Sequence, residues 1–281
     1  DADLTGADLT NAILTGTTLT NADLSEAILT LTGANLSGTI LSNTVLSGAD
    51  LSGADLTGAD LIIADLYRAD LSGADLTNAI LSGANLRGAD LRGANLSETK
   101  LVDSQLSGAD LTATNLSATD LTGVSFASAI VRYSILSDRN LQGFDFRDAV
   151  LDGSVFERSN LSGADFRGSN LTEANFEGAI LDRAQLAGAV LLNANFHTAS
   201  LHQADLRDAD LNGASLVGTN LSEADLSGAI LTGSSLTGAD LSSANLQGAD
   251  LRVDAAPDRR GPRMNHIVAA RLHAIDATPA P

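Results

Sequence analysis

The chain has 281 residues, a formal net charge of −19 and a sequence pI near 4.2. Only 3% of its residues are aromatic although 44% are hydrophobic, so its apolar content is mainly Leu, Ala and Ile rather than the varied side chains of an ordinary core. The absence of Cys excludes disulfides and thiolate chemistry, and the acidic balance with a single lysine, Lys100, argues against binding of bare nucleic acid. No apolar run is long enough to span a membrane, and the composition predicts a repetitive architecture.

A five-residue repeat occupies most of the chain. Leu recurs at every fifth residue from Leu4 to Leu29 and again from Leu36 to Leu251, with Phe or Val as the only substitutes in the second block. Two extra residues near Leu31-Thr32 separate the blocks and predict a small corner loop. If the recurrent Leu is position i, Ala usually stands at i−2, Asp or Asn at i−1, and Ser, Thr or Arg at i+1, with Gly often at i+2. Strand alternation directs i−2 and i inward and i−1 outward, and Ser/Thr-Gly favours a tight corner.

The phenylalanines indicate how many repeats complete one coil. They form two series with a spacing of twenty residues, Phe126, Phe146, Phe166 and Phe156, Phe176, Phe196. If four repeats make one coil, each series stacks vertically. The spacing therefore predicts an all-β, quadrilateral parallel β-solenoid of about 12 coils over residues 1–251, on the order of 60 Å long.

The consensus unit, Ala54-Asp55-Leu56-Thr57-Gly58, resembles the A-(D/N)-L-X-X motif of the pentapeptide-repeat family, and the resemblance extends from about Asp1 to Leu251. It implies a right-handed quadrilateral β-helix. Acidic, rod-like members of that family protect bacteria from fluoroquinolones or topoisomerase-poisoning toxins and act on DNA gyrase. The resemblance therefore implies a type-II topoisomerase as the leading protein partner.

The repeat stops after Leu251. Residues 252–262 read as a Pro/Gly/Arg linker, residues 263–276 as a short amphipathic helix, and residues 277–281 as a tail. The apolar face of the predicted helix consists of Met264, Ile267, Val268, Leu272 and Ile275. Such a short helix needs a surface to dock on, either its own last coil or the equivalent end of a second chain in a homodimer.

Position i−2 departs from its preference for small residues at Arg139 and Phe144. Because an inward Arg would bury a charge at a cost of several kcal/mol, we expect the coil around residues 137–146 to bulge and release Arg139 to solvent. A local kink is the favoured interpretation, and a binding notch is the alternative.

The sequence offers no constellation for catalysis. His197 and His202 fall on neighbouring outer faces, and His266 and His273 lie in the tail. A solenoid filled by Leu and Ala leaves no pocket of ligand size, so we predict a non-enzyme without cofactor or metal.

Charge placement is the most informative outer feature. Residues 1–125 carry a net charge of −12, residues 126–251 carry −9, and the remainder carries +2. Twenty-residue stacking predicts one column of Asp50, Asp70, Asp90 and Asp110 and another that contains Asp55 and Asp75. In the second half, Asp145, Asp165 and Asp205 alternate with Arg147, Arg167 and Arg207, which should neutralise that column. The leading hypothesis is mimicry of DNA by the N-terminal half, and the alternative is that the Asp residues only keep the protein soluble.

Two rival functions use other surfaces. A structural or protein-interaction scaffold would use outer apolar residues, which cluster as Ile62, Ile63 and Tyr67 and as Ile130, Tyr133, Ile135, Val150 and Val155. Ice binding would use the hydroxyl column Ser37, Thr57, Thr77, Ser97, Ser117 and Ser137. We expect a cytoplasmic protein because no export signal is visible, and because the sequence starts at Asp1 without Met, a preceding segment is expected to be missing.

Overall fold

The computed structural model describes residues 12–20, 22 and 31–252. The chain divides into two compact units, Asp1–Ile135 and Leu136–Pro281. The described residues contain no helix and no strand longer than one residue, since the extended residues pair through single parallel bridges. Within these residues no helix has the length and apolar character needed to cross a lipid bilayer. Apart from Arg252, the predicted linker, helix and tail lie outside the described residues.

Parallel bridges join residues twenty apart in each unit. In the first unit Asn35 pairs with Asp55 and Asp50 with Asp70, and in the second unit Asn160 pairs with Ile180. Four repeats therefore complete one coil within each unit, as the phenylalanine spacing predicts.

The stacked phenylalanines confirm this register in the second unit. The ring centroids of Phe146 and Phe166 lie 4.7 Å apart with an interplanar angle of 3°. Those of Phe156 and Phe176 are separated by 5.0 Å, and those of Phe176 and Phe196 by 4.9 Å. These distances match the spacing of hydrogen-bonded strands. Phe126 is fully buried in the first unit.

The expected corner loop at Leu31-Thr32 is wrong. Leu31 is itself a repeat position i, because it is 2% exposed and its carbonyl accepts the turn hydrogen bond from the Ala34 amide at 2.8 Å. Ile13 pairs with Asn35, twenty-two residues away rather than twenty. The two extra residues therefore lie between Ala22 and Leu31, in a segment outside the described residues.

The consensus pentad 54–58 satisfies all five of its backbone N–H groups. In the pentad 54–58 the amides donate, in chain order, to Leu51 O (3.0 Å), Ala34 O (2.9 Å), Asp75 O (2.8 Å), the Asp55 carboxylate (3.0 Å) and Thr77 O (2.8 Å). Three of these bonds join neighbouring coils, one closes the turn, and the fifth requires a side chain. The backbone amide at i+1 therefore has no backbone acceptor, and the side chain at i−1 accepts its hydrogen bond.

The interior of each unit is built from positions i−2 and i. Leu and Phe at i and Ala at i−2 are almost completely buried, as for Leu56, Ala54 and Phe166, each 0% exposed. The turn residue at i+2 has positive φ, which suits Gly, for example Gly58 with φ of 66°. Repetition of one large and one small inward residue fills the coil without a varied core.

The expected bulge at Arg139 is also wrong. Residues 136–146 keep the same turn-and-bridge pattern as their neighbours, and Arg139 is half-buried. The Ser159 hydroxyl, one coil away, bridges the turn at this point: its Oγ accepts from the Arg139 amide at 3.1 Å and donates to the Leu136 carbonyl at 2.6 Å. Phe144 packs beside Phe146, with ring centroids 6.1 Å apart.

Candidate functional site: the acidic columns of the first unit

The carboxylates at i−1 have a structural role that the sequence pattern did not disclose. Asp75 Oδ1 accepts hydrogen bonds from the Thr77 amide at 3.0 Å and the Thr77 hydroxyl at 2.5 Å. Asn95 Oδ1 does the same for the Ser97 amide and hydroxyl, at 3.2 and 2.8 Å. Both side chains form an Asx turn that binds the fifth amide of the repeat. The interchange of Asp and Asn at i−1 is the sequence feature that could have revealed this role.

The first predicted acidic column is confirmed as a stack. Asp50, Asp70, Asp90 and Asp110 are joined in succession by parallel bridges, and all four are partly exposed. Oδ1 of Asp50 accepts from the Ser52 amide at 3.0 Å and the Ser52 hydroxyl at 2.6 Å, and its Oδ2 accepts from the Thr32 hydroxyl at 2.9 Å. The hydrogen bond from the Ser52 side chain lowers the pKa of Asp50, so this carboxylate is firmly ionised at neutral pH.

An arginine within this column, Arg92, was missed by sequence reasoning. Its Nε donates to both carboxylate oxygens of Asp90 at 2.8 Å, and its Nη2 also binds that carboxylate. The hydrogen bond from Arg92 lowers the pKa of Asp90, and the same hydrogen bond raises the pKa of Arg92, with smaller contributions from the charges of Asp110 and Asp70. The upper half of the column is therefore partly neutralised.

The second predicted column is also a stack. Asp55 and Asp75 pair with each other, with Asn35 on one side and Asn95 on the other. The i−1 positions from 50 to 75 are all Asp, so carboxylates stand on all four faces of these coils.

Charge density separates these coils from the rest of the first unit. Residues 46–85, two coils by the twenty-residue register, contain six Asp and one Arg, a net charge of −5. Residues 86–125, the next two coils, contain five acidic and three basic residues, a net charge of −2. Two coils rise by about 10 Å, which gives one net charge per about 2 Å in the lower pair. A DNA duplex carries one negative charge per about 1.7 Å of axis.

The predicted neutralised column of the second unit is confirmed. Arg147, Arg167 and Arg207 each bind the Asp two residues earlier through Nε and Nη2, at 2.6 to 2.9 Å. The Arg207 hydrogen bond lowers the pKa of Asp205. Burial raises the pKa of Asp165, but hydrogen bonds from Arg167 outweigh it, so the pKa is lowered overall. These carboxylates contribute little to the external field.

The predicted apolar residues fall in both units. Ile63 is 60% exposed and Tyr67 39%, and they occupy the two corners that flank the strand residue Asp65. Ile62 and Ile130 are half-buried. Farther along the first unit, Tyr133 is 60% exposed and Ile135 40%, and Val150 and Val155 are half-buried residues of the second unit. Ile63 is unusual because it has φ of 57°, a left-handed conformation that is strained for a β-branched side chain.

The two described histidines lie on the surface of the second unit. His202 Nδ1 lies 2.9 Å from Ser222 Oγ and 3.0 Å from Ser222 O, and His197 is exposed. Over residues 12–20, 22 and 31–252, no three His, Asp or Glu side chains are grouped so as to hold a metal ion.

Comparison with known proteins now identifies the repeat. The family described as "Pentapeptide repeats" matches in segments that together span the repeat region, namely residues 1–30, 31–66, 64–101, 89–127, 104–143, 136–168, 169–208, 179–218 and 214–252. The chain belongs to the pentapeptide-repeat family. Members of this family fold as right-handed quadrilateral β-helices and are generally non-catalytic structural or binding proteins.

Solved structures of family members show similarity along the chain. HetL of the cyanobacterium Nostoc sp. strain PCC 7120, a pentapeptide repeat protein involved in heterocyst differentiation regulation, is 32% identical, covers 87% of this chain and 90% of its own, and gives a TM-score of 0.32. A trypsin-treated variant of QnrB1, a plasmid-mediated fluoroquinolone resistance protein, is 18% identical over 95% of this chain and 97% of its own, with a TM-score of 0.36. Rfr23 from the cyanobacterium Cyanothece 51142 is 24% identical over 55% of this chain and 87% of its own, with a TM-score of 0.26. No curated protein sequence matches the chain.

Proposed function

We propose that this pentapeptide-repeat protein is a non-catalytic binding protein that presents its first unit as a mimic of DNA to a DNA-binding enzyme. The proposed partner is a type-II topoisomerase such as DNA gyrase. The observation that carries the proposal is the charge density of residues 46–85, which approaches that of a duplex. A basic groove that binds phosphates through Lys and Arg is attracted to such a surface.

The Asx turns support the proposal by holding the carboxylates in place. One oxygen of each Asp is bound to its own turn, as Asp55 and Asp70 show with amide bonds of 3.0 and 2.9 Å from the residues two positions later. The side chain therefore loses little freedom when a partner binds its other oxygen. Preorganisation of this kind lowers the entropic cost of association.

The alternative is that Asp is present only as the acceptor of the turn, in a protein that serves as a structural or interaction scaffold. Asn35, Asn95 and Asn115 bind the same amide without a charge. Substitution of Asp by Asn therefore removes the charge while keeping the turn, and this separates the two explanations.

The test is the supercoiling of relaxed DNA by gyrase, titrated with this protein. We expect inhibition, or protection from a quinolone, at micromolar protein, and loss of the effect when Asp55, Asp70 and Asp75 are changed together to Asn.

The matched control changes three exposed carboxylates of the second unit, Glu173→Gln, Glu223→Gln and Asp240→Asn, which alters the net charge equally. We expect the control to retain most of the effect. The mimicry proposal is rejected if the wild-type protein has no effect on gyrase, or if both triple variants lose activity to the same extent.

A further inference from the structure

One corner of the second unit carries an open cavity of about 420 Å³. This volume falls within the range of small-molecule sites, about 300–1,000 Å³. The cavity is lined by Gln142, Ser162, Gly163, Asp182, Arg183 and His202. All six are polar residues or Gly, whereas most ligand sites are lined mainly by apolar side chains, so the cavity suits a ligand that is polar along its length.

The lining residues occupy the same corner on four successive coils. The Gly163 amide donates to the Asp182 carbonyl at 2.9 Å, and the Arg183 amide donates to the His202 carbonyl at 2.9 Å. Gln142 stands one coil before Gly163. Since neighbouring coils are about 4.8 Å apart, the corner extends over about 14 Å along the stack. The smallest side chains, at 162 and 163, lie between the longer ones and leave the depression.

Asp182 and His202 supply free hydrogen-bond acceptors. Oδ1 of Asp182 accepts from the Ser200 hydroxyl at 2.5 Å and from the His202 amide at 3.3 Å, whereas Oδ2 accepts no hydrogen bond from the described residues. His202 Nδ1 lies 3.0 Å from the Ser222 carbonyl oxygen, which can only accept. In the neutral ring Nδ1 therefore carries the hydrogen, and Nε2 is left as an acceptor.

Arg183 and Gln142 supply the free donors. Arg183 is exposed, and its Nε donates to Gln203 Oε1 at 3.0 Å, which leaves both Nη groups without a partner among the described residues. The exposed side-chain amide of Gln142 forms no hydrogen bond within the same part of the chain. The Ser162 hydroxyl donates to Asn160 Oδ1 at 2.6 Å, so its oxygen remains as a further acceptor. Donors and acceptors therefore alternate around one cavity.

We propose that this polar corner, the six residues that line the cavity, binds a neutral carbohydrate. Hydroxyl groups of the sugar donate to Asp182 Oδ2 and His202 Nε2 and accept from the Arg183 Nη groups and the Gln142 amide. A hydroxyl group both donates and accepts, which matches a site that offers free groups of both kinds. The polar corner belongs to the second unit, so the inference does not depend on the proposed DNA mimicry by the first unit.

Charge and hydrogen bonding favour a neutral sugar over a charged small molecule. The charges of Asp182 and Arg183 oppose each other, and the protein as a whole carries a net charge of −19, so an anion such as a sulfate ester is not attracted. An ionised sulfate also has no hydrogen to donate to Asp182 or His202. A free amino acid would pair with Asp182 and Arg183 through its ammonium and carboxylate groups, but it would leave most of a corner about 14 Å long unfilled.

The test is binding of the fluorescently labelled protein to an array of neutral, sialylated and sulfated glycans, followed by calorimetric titration with the neutral glycan that binds most strongly. We expect binding to neutral glycans. Asp182→Asn keeps Oδ1 as the acceptor for Ser200 and His202 and replaces the free acceptor by a donor, so it should bind at least about fivefold more weakly. Arg183→Gln should bind about two- to fivefold more weakly, since it removes donors at the exposed edge of the cavity.

Glu173→Gln is the matched control, because Glu173 is an exposed carboxylate that follows Gly163 by ten residues, half a coil in the twenty-residue register. It should change the affinity for the glycan by less than about twofold. Circular dichroism of each variant verifies the fold. The proposal is overturned if no neutral glycan binds, if only sialylated or sulfated glycans bind, if free amino acids displace the glycan, or if Asp182→Asn and Arg183→Gln bind as the wild type does. None of these results bears on the gyrase assay with the first-unit Asp→Asn variants.

Discussion

Replacement of Asp75 by Ala and by Asn separates the structural role of the i−1 carboxylate from its charge. The Asp75 side chain accepts two hydrogen bonds, from the Thr77 amide at 3.0 Å and the Thr77 hydroxyl at 2.5 Å. Ala removes both and leaves an amide that no neighbouring coil binds. Hydrogen bonds to a charged acceptor contribute about 1.5–3 kcal/mol when buried, and Asp75 is half-exposed, so we expect Ala to cost about 1 kcal/mol.

Asn keeps the acceptor oxygen, as Asn95 shows on the next coil, so we expect Asp75→Asn to cost less than about 0.5 kcal/mol. Thermal unfolding followed by circular dichroism measures the difference. For a chain of this size, 1 kcal/mol corresponds to about 2–4 °C in Tm, so the Ala variant should melt measurably below both the wild type and the Asn variant. Equal destabilisation by Ala and Asn would refute the Asx-turn explanation of this position.

Three further outcomes follow from the described residues. Ser104→Ala should stabilise the protein by about 1 kcal/mol, because the buried Ser104 hydroxyl has no hydrogen-bond partner among the described residues. Ser159→Ala should destabilise it by about 1–2 kcal/mol, because the Ser159 hydroxyl donates to a backbone carbonyl at 2.6 Å and accepts a hydrogen bond from a backbone amide. Urea denaturation of both variants should therefore show free-energy changes of opposite sign. Ile63→Asn should raise the unfolding free energy by about 0.5–1 kcal/mol by relieving left-handed strain, and an unchanged or lower denaturation midpoint would count against that strain. The pKa values of Asp50 and Asp90 are lowered in the folded protein. Their contribution to stability is therefore complete above the unfolded pKa near 3.9 and is lost as the pH falls through the folded pKa values. The free energy of unfolding measured by urea denaturation should be constant above about pH 5 and decline below about pH 4.

The sequence was sufficient to predict the coil register because the information is periodic. Phenylalanines twenty residues apart can share one stack only with four repeats per coil, and the ring separation of 4.7 Å between Phe146 and Phe166 confirms this. The extra residues were wrongly placed at Leu31 because Leu29 continues the five-residue spacing that starts at Leu4. Leu31 itself lies five residues before Leu36 and belongs to the second block.

Features that depend on neighbours one coil away were harder to predict. The turn at Arg139 is bridged by the hydroxyl of Ser159, twenty residues later, a relation that position i−2 alone does not disclose. The ion pair of Arg92 with Asp90 follows from their i+1 and i−1 positions, the same arrangement that was recognised for Arg147 and Asp145.

Displacement of labelled duplex DNA from gyrase, measured by fluorescence anisotropy, tests whether the carboxylates of residues 46–85 act through their charge. The wild-type protein should displace the DNA, and the variant with Asn at 55, 70 and 75 should need about tenfold more protein, because each exposed charge pair contributes roughly two- to fivefold. Its melting temperature should remain near that of the wild type. Equal displacement by the wild-type protein and by the stably folded Asn variant would show that the charge of these carboxylates is not what competes with DNA.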